Sequence, residues 1–333
     1  MHKFTFVDLF AGIGGFHIGL RAGGGDCVYS SEWNKYSAKT YAAWTGHEPN
    51  VEDIREIVPS SLPEHDVLAA GFPCQPFSLA GVSKKISLGR QHGFQDLEQG
   101  NLFFTICDIV SEKKPKIVLL ENVKNLRSHD KGRTWEVIQE SLKSLGYVVR
   151  WKIVDAKYWV PQHRERVFIV AFREDLWEED AIDEFSFPNN EGRVPPALES
   201  ILESNPDPKY MLTENLWAYL QMYAAKHKAK GNGFGYSLAD RSSISRTLSA
   251  RYHKDGSEIL ISQPDWERPR RLTPDEARKL MGFTEELAGQ AGTDTTYRQV
   301  VSDTQAYRQF GNAVSPLVVR DIALEISRML VRP

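Results

Sequence analysis

The sequence of 333 residues has 41% hydrophobic, 26% charged and 11% aromatic residues, a composition that is typical of globular proteins and excludes a disordered chain. No apolar run approaches the roughly 18 to 20 residues of a membrane span, and the N-terminus lacks the apolar stretch of a secretion signal, so we expect a cytoplasmic protein. The net charge of −3 gives no global indication of a polyanionic partner.

The chain begins with the pattern of a strand, a glycine turn and a helix. Residues 4–10 are an apolar run rich in β formers, residues 11–15 form the glycine turn, and residues 16–21 predict a helix. At such a turn the backbone can approach a ligand closely, and the N–H groups of the helix point at it. The spacing differs from the dinucleotide fingerprint, because His17 stands where the third glycine would be.

The second unit begins with a short strand that is followed by an acidic residue. Glu32 lies about 20 residues beyond the glycines, a position from which a carboxylate accepts hydrogen bonds from ribose hydroxyls in α/β folds. Trp33 can either stack on an adenine or cap the core. A helix is predicted at 35–44, and Asp53 and Ile54 lie in the loop beyond it.

The third predicted strand runs into a cysteine that lies between two prolines. Pro73 and Pro76 fix their own φ angles and bias the residues before them away from the helical region, so the thiol of Cys74 lies on a stiff, non-helical turn. Such a turn suits a reactive thiol, although a lone cysteine is more often a small buried hydrophobe. Cys27 and Cys107 lie in a predicted strand and helix, and no CxxC pair indicates a zinc site or a disulfide.

The alternation of strands and helices continues beyond this turn, with helices predicted at 101–111 and 133–145 and strands at 117–120, 147–154 and 167–172. Glu121 follows the first of these strands, at the edge where α/β sheets place their ligands. Arg164 and Arg166 precede the last one, and two arginines two apart on an extended segment point the same way, as oxyanion or phosphate binding requires. Residues 78–100 are too long for an ordinary connection, and long connections of this type are often lids, with plain disorder as the alternative.

The regular alternation stops after the last of these strands. We therefore predict an α/β domain at 1–174, a smaller domain at 175–267, and a return to the first domain at 268–333. Residues 174–207 have 11 acidic residues and one basic residue, whereas residues 226–271 have 10 basic and 5 acidic residues. This contrast weakly indicates a surface that faces a polyanion, and two solvated faces explain it equally well.

Seven stretches, in order along nearly the whole chain, resemble the motifs of the C5-cytosine DNA methyltransferases: residues 8–16, 71–78, 100–104, 121–123, 162–166, 268–283 and 311–314. The resemblance implies a mostly parallel, Rossmann-like α/β sheet of the S-adenosylmethionine-dependent methyltransferase type. It also implies that the smaller domain at 175–267 is an inserted target-recognition domain.

The resemblance assigns roles to four residues. Cys74 would add to C6 of cytosine so that C5 can take a methyl group, a task that suits a thiolate because it attacks near neutral pH and also leaves again. Glu121 would hold N3 of the base, and Arg166, supported by Arg164, would contact the O2 side. The alternatives are a structural cap for Glu121 and a salt-bridged pair for the arginines.

The resemblance further implies a cofactor pocket for S-adenosylmethionine and a set of DNA contacts, but no metal site. The implied cofactor residues are Phe10, Ala11, Gly12, Ile13, Gly14, Gly15, Glu32, Trp33, Asp53, Ile54, Gly71, Pro73, Leu102, Asn312 and Ala313. The implied DNA contacts are Gln75, Ser78, Arg246, Thr247, Leu248 and Arg251. Glu32 would bind the ribose and Trp33 the adenine. The target base must leave the duplex, so the connection at 78–100 would close over it.

The partner that we expect is double-stranded DNA, with the enzyme acting as a monomer and without a membrane or an obligate protein partner. Residues 231–261 look like those of family members that methylate the inner cytosine of CCWGG-type sites. Arg246 and Arg251 can read guanines or merely bind phosphates.

Three other functions remain open at this point. A branch of the same family keeps these motifs and methylates tRNA. The glycine turn alone would also suit a nicotinamide-dependent oxidoreductase, although the missing third glycine opposes it. A DNA-binding protein that has lost catalysis is the third alternative. All the quoted motifs are intact, which opposes it.

Overall fold

The computed structural model describes residues 2–73, 102–233 and 235–331. Cys74, Gln75 and Ser78, and with them the connection at 78–100, lie outside these ranges, so the roles predicted for them stay predictions. In the described part of the chain, no helix has the length and apolar character needed to cross a membrane.

One sheet of six strands runs through the described residues: β1 (Phe4–Leu9), β2 (Gly25–Ser31), β3 (Val67–Gly71), β4 (Ile117–Val123), β5 (Tyr147–Asp155) and β6 (Glu165–Arg173). Their order in the sheet is β2-β1-β3-β4-β6-β5. Neighbours are parallel from β2 to β4, whereas β6 is antiparallel to both β4 and β5. Five strands therefore point the same way, which confirms the predicted mostly parallel, Rossmann-like α/β sheet.

Each face of the sheet carries a hydrophobic layer. Side chains alternate along a strand, so Val67 and Ala69 of β3 belong to one buried cluster, while Leu68 and Ala70 belong to the other. Burial on both faces explains why the central strands are continuous apolar runs without polar alternation. Strands buried in this way form a rigid scaffold for the residues at their ends.

Ten helices belong to the described residues: α1 (Gly15–Ala22), α2 (Lys35–Thr45), α3 (Leu102–Lys113), α4 (Arg133–Ser144), α5 (Glu179–Asp183), α6 (Glu214–Ala229), α7 (Pro274–Leu280), α8 (Glu285–Ala291), α9 (Asp303–Asn312) and α10 (Pro316–Met329). Asn34 caps α2 by accepting from two backbone N–H groups, and Thr273 forms a capping box with Glu276 at α7. The sequence did not predict α5, α6, α8 or α9.

Helix α1 packs against α10 through a row of glycines. Gly15, Gly19 and Gly23 recur every fourth residue and so share one face of the helix. A Cβ atom on Gly19 would lie 2.6 Å from Cβ of Val319 and 2.7 Å from the carbonyl oxygen of Pro316. The two helices therefore approach more closely than a side chain at the position of Gly19 would permit. This contact fixes the helix that follows the glycine turn.

We expect Gly19→Ala to lower the free energy of unfolding by about 1–3 kcal/mol, because the added methyl group forces the two helices apart. Urea unfolding measures the effect. Gly289→Ala in α8 is the matched control, since a Cβ atom there meets no atom within 4 Å and alanine is the better helix former. Equal losses in the two variants would show that the close packing of α1 is not the cause.

The described part of residues 175–267 consists of turns, short helices and the 16-residue helix α6 around a small buried cluster of Leu212, Leu220 and Leu260. Leu248, from the same region, belongs to a larger cluster that also contains Ile13 and Phe310 of the flanking parts. The region thus shares a core with the α/β part of the chain. Its boundaries as a separate domain stay a prediction.

Candidate active site

Several predicted site residues lie at the edge of the sheet where β1 to β4 end: the glycine turn, Glu32, Gly71 and Glu121. Strand β1 lies between β2 and β3, so the chain leaves β1 on one side and returns on the other. This is the topological switch point at which open α/β sheets bind ligands. The register places Leu9 beside Ser31 and Ala70, and Gly71 beside Glu121. The segments that follow these strands are therefore neighbours.

The glycine turn after β1 is a left-handed bend that is tied to Glu32. Phe10, Gly12 and Gly14 have φ angles of 56°, 58° and 89°, a region that glycine enters without a Cβ clash. The N–H of Gly12 donates to Oε2 of Glu32 at 2.8 Å, and the N–H of Asn34 donates to Oε1 at 2.8 Å. Burial raises the pKa of Glu32, and these two N–H groups oppose the shift. The carboxylate is thus fixed beside the turn.

The other residues predicted to bind the cofactor differ in burial. The side chain of Trp33 is 72% exposed, so it does not cap the core, and its ring is open to stacking. Asp53 pairs with Arg55, whose guanidinium lowers the pKa of Asp53, and Ile54 is buried. Of the rest, Ala11, Ile13, Gly14 and Gly15 are buried, Phe10, Gly12, Gly71, Leu102 and Ala313 are half-buried, and Pro73 and Asn312 are exposed.

Glu121, near the end of β4, lies beside the last residue of β3. A Cβ atom on Gly71 would lie 3.6 Å from Oε2 of Glu121, and Oε1 of Glu121 is 3.1 Å from Nε of Arg166. Nδ2 of Asn122 donates to the carbonyl oxygen of Phe72 at 2.8 Å. The end of β4 is therefore tied to the segment that leads into the predicted nucleophile.

The environment of Glu121 favours its neutral form. Burial raises the pKa of Glu121, and the charges of Arg166 and Arg164 oppose this shift. The net direction is upward, so at any given pH more of this carboxyl is protonated than in an exposed glutamate. Such a carboxyl can donate a proton or a hydrogen bond closer to neutral pH.

Arg164 is 1% exposed and connects two segments that are distant in the chain. One of its terminal nitrogens donates to the carbonyl oxygen of Leu248 at 3.0 Å, and the other donates to those of Gly311 and Ala313 at 3.0 and 2.7 Å. Burial and the neighbouring Arg166 lower the pKa of Arg164 to about 9, so the guanidinium stays charged at neutral pH. Its predicted support of Arg166 in the reaction stays a prediction.

The residues before Arg164 hold the segment at 245–248 in place. Two backbone hydrogen bonds join Ser245 to this stretch, and the N–H of Leu248 donates to Oε1 of Gln162 at 2.7 Å. Leu248 is fully buried, so its side chain packs in the core and does not face outward. The sequence analysis assigned Gln162 no role of its own, and only its place inside a matched motif indicated one.

A groove of about 560 Å³ opens beside this segment. Its lining includes Arg246 and Thr247, which were predicted to contact DNA, and also Glu258, which was not. Arg246 and Arg251 are exposed. The structure therefore brings two of the four DNA contacts predicted in this region, Arg246 and Thr247, to one groove together with an acidic residue.

Asp8, near the end of β1, is a buried acid that the sequence analysis passed over. It is 0% exposed, and neither oxygen makes a hydrogen bond of standard geometry with a described residue. Burial raises the pKa of Asp8 well above its usual range, and the charge of Glu32 adds to the shift, while the N–H of His17 opposes it. The surroundings of the Asp8 carboxyl thus favour its neutral form.

We expect Asp8→Asn to become more stable than the parent chain as the pH rises. Because the folded-state pKa of Asp8 is raised, its contribution to stability is complete below pH 3.8, its ordinary pKa, and is lost above it. Asparagine does not titrate, so urea unfolding should show a gap that grows between pH 4 and pH 8 to roughly 1–3 kcal/mol. Asp26→Asn, at an exposed carboxylate, is the control. Parallel pH curves for Asp8→Asn and the parent would contradict the expectation.

The family model for C-5 cytosine-specific DNA methylases matches residues 4–328. The DNA-cytosine methyltransferase of Escherichia coli strain K12 is 46% identical over 365 residues, which cover 94% of this chain and 75% of that protein. The type II methyltransferase M.NlaX of Neisseria lactamica is 44% identical over 332 residues, which cover 98% of this chain and 97% of the relative. Similarity at this level extends over nearly the whole chain.

The crystal structure of the S. pombe Dnmt2 methyltransferase has the same fold, with a TM-score of 0.71 at 19% identity over 99% of this chain and 98% of the other. This likeness shows the fold. The chain therefore belongs to the C-5 cytosine-specific DNA methylase family and is a DNA (cytosine-5-)-methyltransferase.

Proposed function

We propose that this enzyme uses S-adenosylmethionine and the thiol of Cys74 to methylate C5 of a cytosine that has flipped out of double-stranded DNA. The observation that carries the proposal is the position of Glu121, which lies opposite Gly71 and pairs with Arg166. A cytosine held by these two side chains would place C6 near the segment that contains Cys74. A base inside a duplex cannot reach the edge of the sheet, so the target must leave the stack.

Each of these residues has a chemical task. The thiolate of Cys74 adds to C6, and Glu121 gives a proton to N3 as negative charge develops in the ring. Arg166 stabilises the O2 side of the base. C5 then has enamine character and would take the methyl group from S-adenosylmethionine, whose S–CH3 bond would break to leave S-adenosylhomocysteine. Loss of the proton from C5 would expel the thiolate, and return of the N3 proton to Glu121 would restore the ring.

The residues around the glycine turn fit S-adenosylmethionine, which supplies the methyl group when it is bound. Each oxygen of Glu32 accepts one backbone N–H and keeps a further lone pair for a ribose hydroxyl. The exposed ring of Trp33 is available to an adenine, with Asp53 at its edge. The left-handed turn lets the cofactor approach the backbone.

Residues 175–267 would form the target-recognition domain. Arg246 and Thr247 would meet the DNA from the groove that they line. Leu248, with its backbone N–H and carbonyl both bonded, would position these neighbours. Arg164 would act as a positioning residue, because both of its terminal nitrogens donate to backbone carbonyls.

Bisulfite sequencing of DNA treated with the purified enzyme and S-adenosylmethionine tests this function, because it reports the base, the position and the recognition sequence together. We expect conversion-resistant cytosines at the inner position of CCWGG-type sites. Methylation of tRNA but not of duplex DNA would overturn the choice of substrate. The high identity to proteins named as DNA methyltransferases favours DNA.

Calorimetry with a nicotinamide dinucleotide, for which we expect no binding, tests the oxidoreductase alternative.

A further inference from the structure

The C-terminal end of helix α6 is exposed and positively charged. Lys226 and Lys228 belong to its last turn, and Lys230 follows the helix directly. All three lysines are exposed, and none of them forms a salt bridge with a residue that the structure describes. Residues 215–239 contain no aspartate or glutamate. The charge at this end of the helix is therefore available to a negatively charged partner.

Helix α6 lies directly behind one wall of the groove beside residues 245–248. Gly235 lines this groove, and a Cβ atom on it would lie 2.8 Å from Cβ of Ala224 in α6. The rings of Trp217 in α6 and Tyr236 are also in contact, with centroids 4.7 Å apart. The helix and the wall of the groove are therefore in direct contact, and DNA in the groove would lie close to α6.

Helix geometry separates the two lysines of the last turn. Lys228 follows Ala224 by four residues, so it lies on the face of α6 that meets the wall of the groove, about one turn nearer to the C-terminus. Lys226 follows Ala224 by two residues, a rotation of about 200°, so it lies on the opposite face. Of these two exposed charges, the one on Lys228 is therefore directed to the side where DNA would lie.

Phosphates of the DNA backbone are the partner that fits this charge. A lysine binds a phosphate as a point charge, and such contacts position the DNA without reading its sequence. Arg246 and Thr247, which line the groove, are the candidates for reading bases. We propose that Lys228, beyond the wall at Gly235, binds a backbone phosphate that flanks the recognition sequence. The inference rests on the proposed function, since it takes the groove as the place where DNA lies.

The alternative is that the lysines only stabilise the C-terminal end of α6, where a positive charge interacts favourably with the helix dipole. Lys228→Gln and Lys226→Gln separate the two roles. Each substitution removes one positive charge from the same turn, and glutamine is nearly as good a helix former as lysine. A role in the helix alone predicts equal effects of the two substitutions, whereas the proposed contact predicts that only Lys228→Gln changes the binding of DNA.

Fluorescence anisotropy with a labelled duplex that contains the site found by bisulfite sequencing measures the difference. On logarithmic scales, the affinity of a protein for DNA falls with salt by a slope of about 0.9 for each phosphate contact. Since Lys228→Gln should lose one contact, raising the salt from about 50 to about 200 mM should weaken the parent roughly 3- to 4-fold more than this variant. Lys226→Gln should keep the salt dependence of the parent, and urea unfolding reports any effect on the fold.

Shortened duplexes test the position of the phosphate. A duplex that ends at the recognition sequence lacks the flanking phosphates, so the shortening should weaken binding by the parent more than binding by Lys228→Gln. Equal losses in these two enzymes, or the same salt dependence in Lys226→Gln and Lys228→Gln, would overturn the inference. Failure of the parent enzyme to methylate duplex DNA would instead overturn the proposed function, so the two failures can be told apart.

Discussion

Cys74→Ser is expected to abolish methylation, with a loss of at least roughly 10⁴-fold in turnover, while the affinity for the cofactor stays nearly unchanged. A serine hydroxyl does not ionise near neutral pH, so it cannot replace a thiolate in the addition to C6. Most of the proposed cofactor residues, among them the glycine turn and Glu32, belong to other segments. Transfer of a labelled methyl group measures turnover, and calorimetry with S-adenosylhomocysteine measures cofactor affinity.

A duplex with 5-fluorocytosine at the target should trap the parent enzyme covalently, because fluorine at C5 cannot leave as a proton does. Cys74→Ser should form no such complex. Cys27→Ala is the control, since burial raises the pKa of the Cys27 thiol to about 12 and Cys27 lies within β2, a different stretch of the chain from Cys74. Retained turnover in a folded Cys74→Ser enzyme would eliminate the covalent mechanism.

The convergence of the site was predictable because parallel strands end at one edge. Glu32 and Glu121 follow different predicted strands, and from the sequence alone each could be placed at the carboxyl end of its strand. The strand order that makes Glu121 a neighbour of Gly71 is a tertiary property. The left-handed bend at the glycines was also foreseeable, since their spacing indicates a turn that other residues adopt only with strain.

Other features depend on contacts that no local pattern records. Helix α6 has 16 residues, of which only Leu220 is buried, so the apolar period that reveals most helices is missing. Leu248 was predicted to touch DNA, and its full burial follows from packing against segments far away in the chain. No sequence pattern singles out Glu258, because only the fold brings it to the groove that it shares with Arg246.

Glu121→Gln is expected to lower kcat by about 10²- to 10⁴-fold, the range typical of a lost general acid, and to change the shape of the pH profile. The parent reaction needs a deprotonated Cys74 and a protonated Glu121, so its rate should rise and then fall with pH. The pKa of Glu121 is raised by burial, so its proton is retained to a higher pH than in an exposed glutamate and is lost as the pH rises further. Glutamine has no proton to lose, so the decline at high pH should vanish.

The control for this profile lies at the same edge of the sheet. Glu165 forms salt bridges with Lys124 and His163 and is more exposed than Glu121, so Glu165→Gln should keep the shape of the parent profile. If the decline at high pH persists in Glu121→Gln, another group must supply the proton to N3, and the contact between Glu121 and Arg166 would then be structural. If it vanishes only in Glu121→Gln, the buried carboxyl beside Gly71 is the acid. In that case, the burial of Glu121 keeps its carboxyl protonated while the thiolate of Cys74 attacks C6. At a site without a catalytic role, the same burial would only lower the stability of the fold.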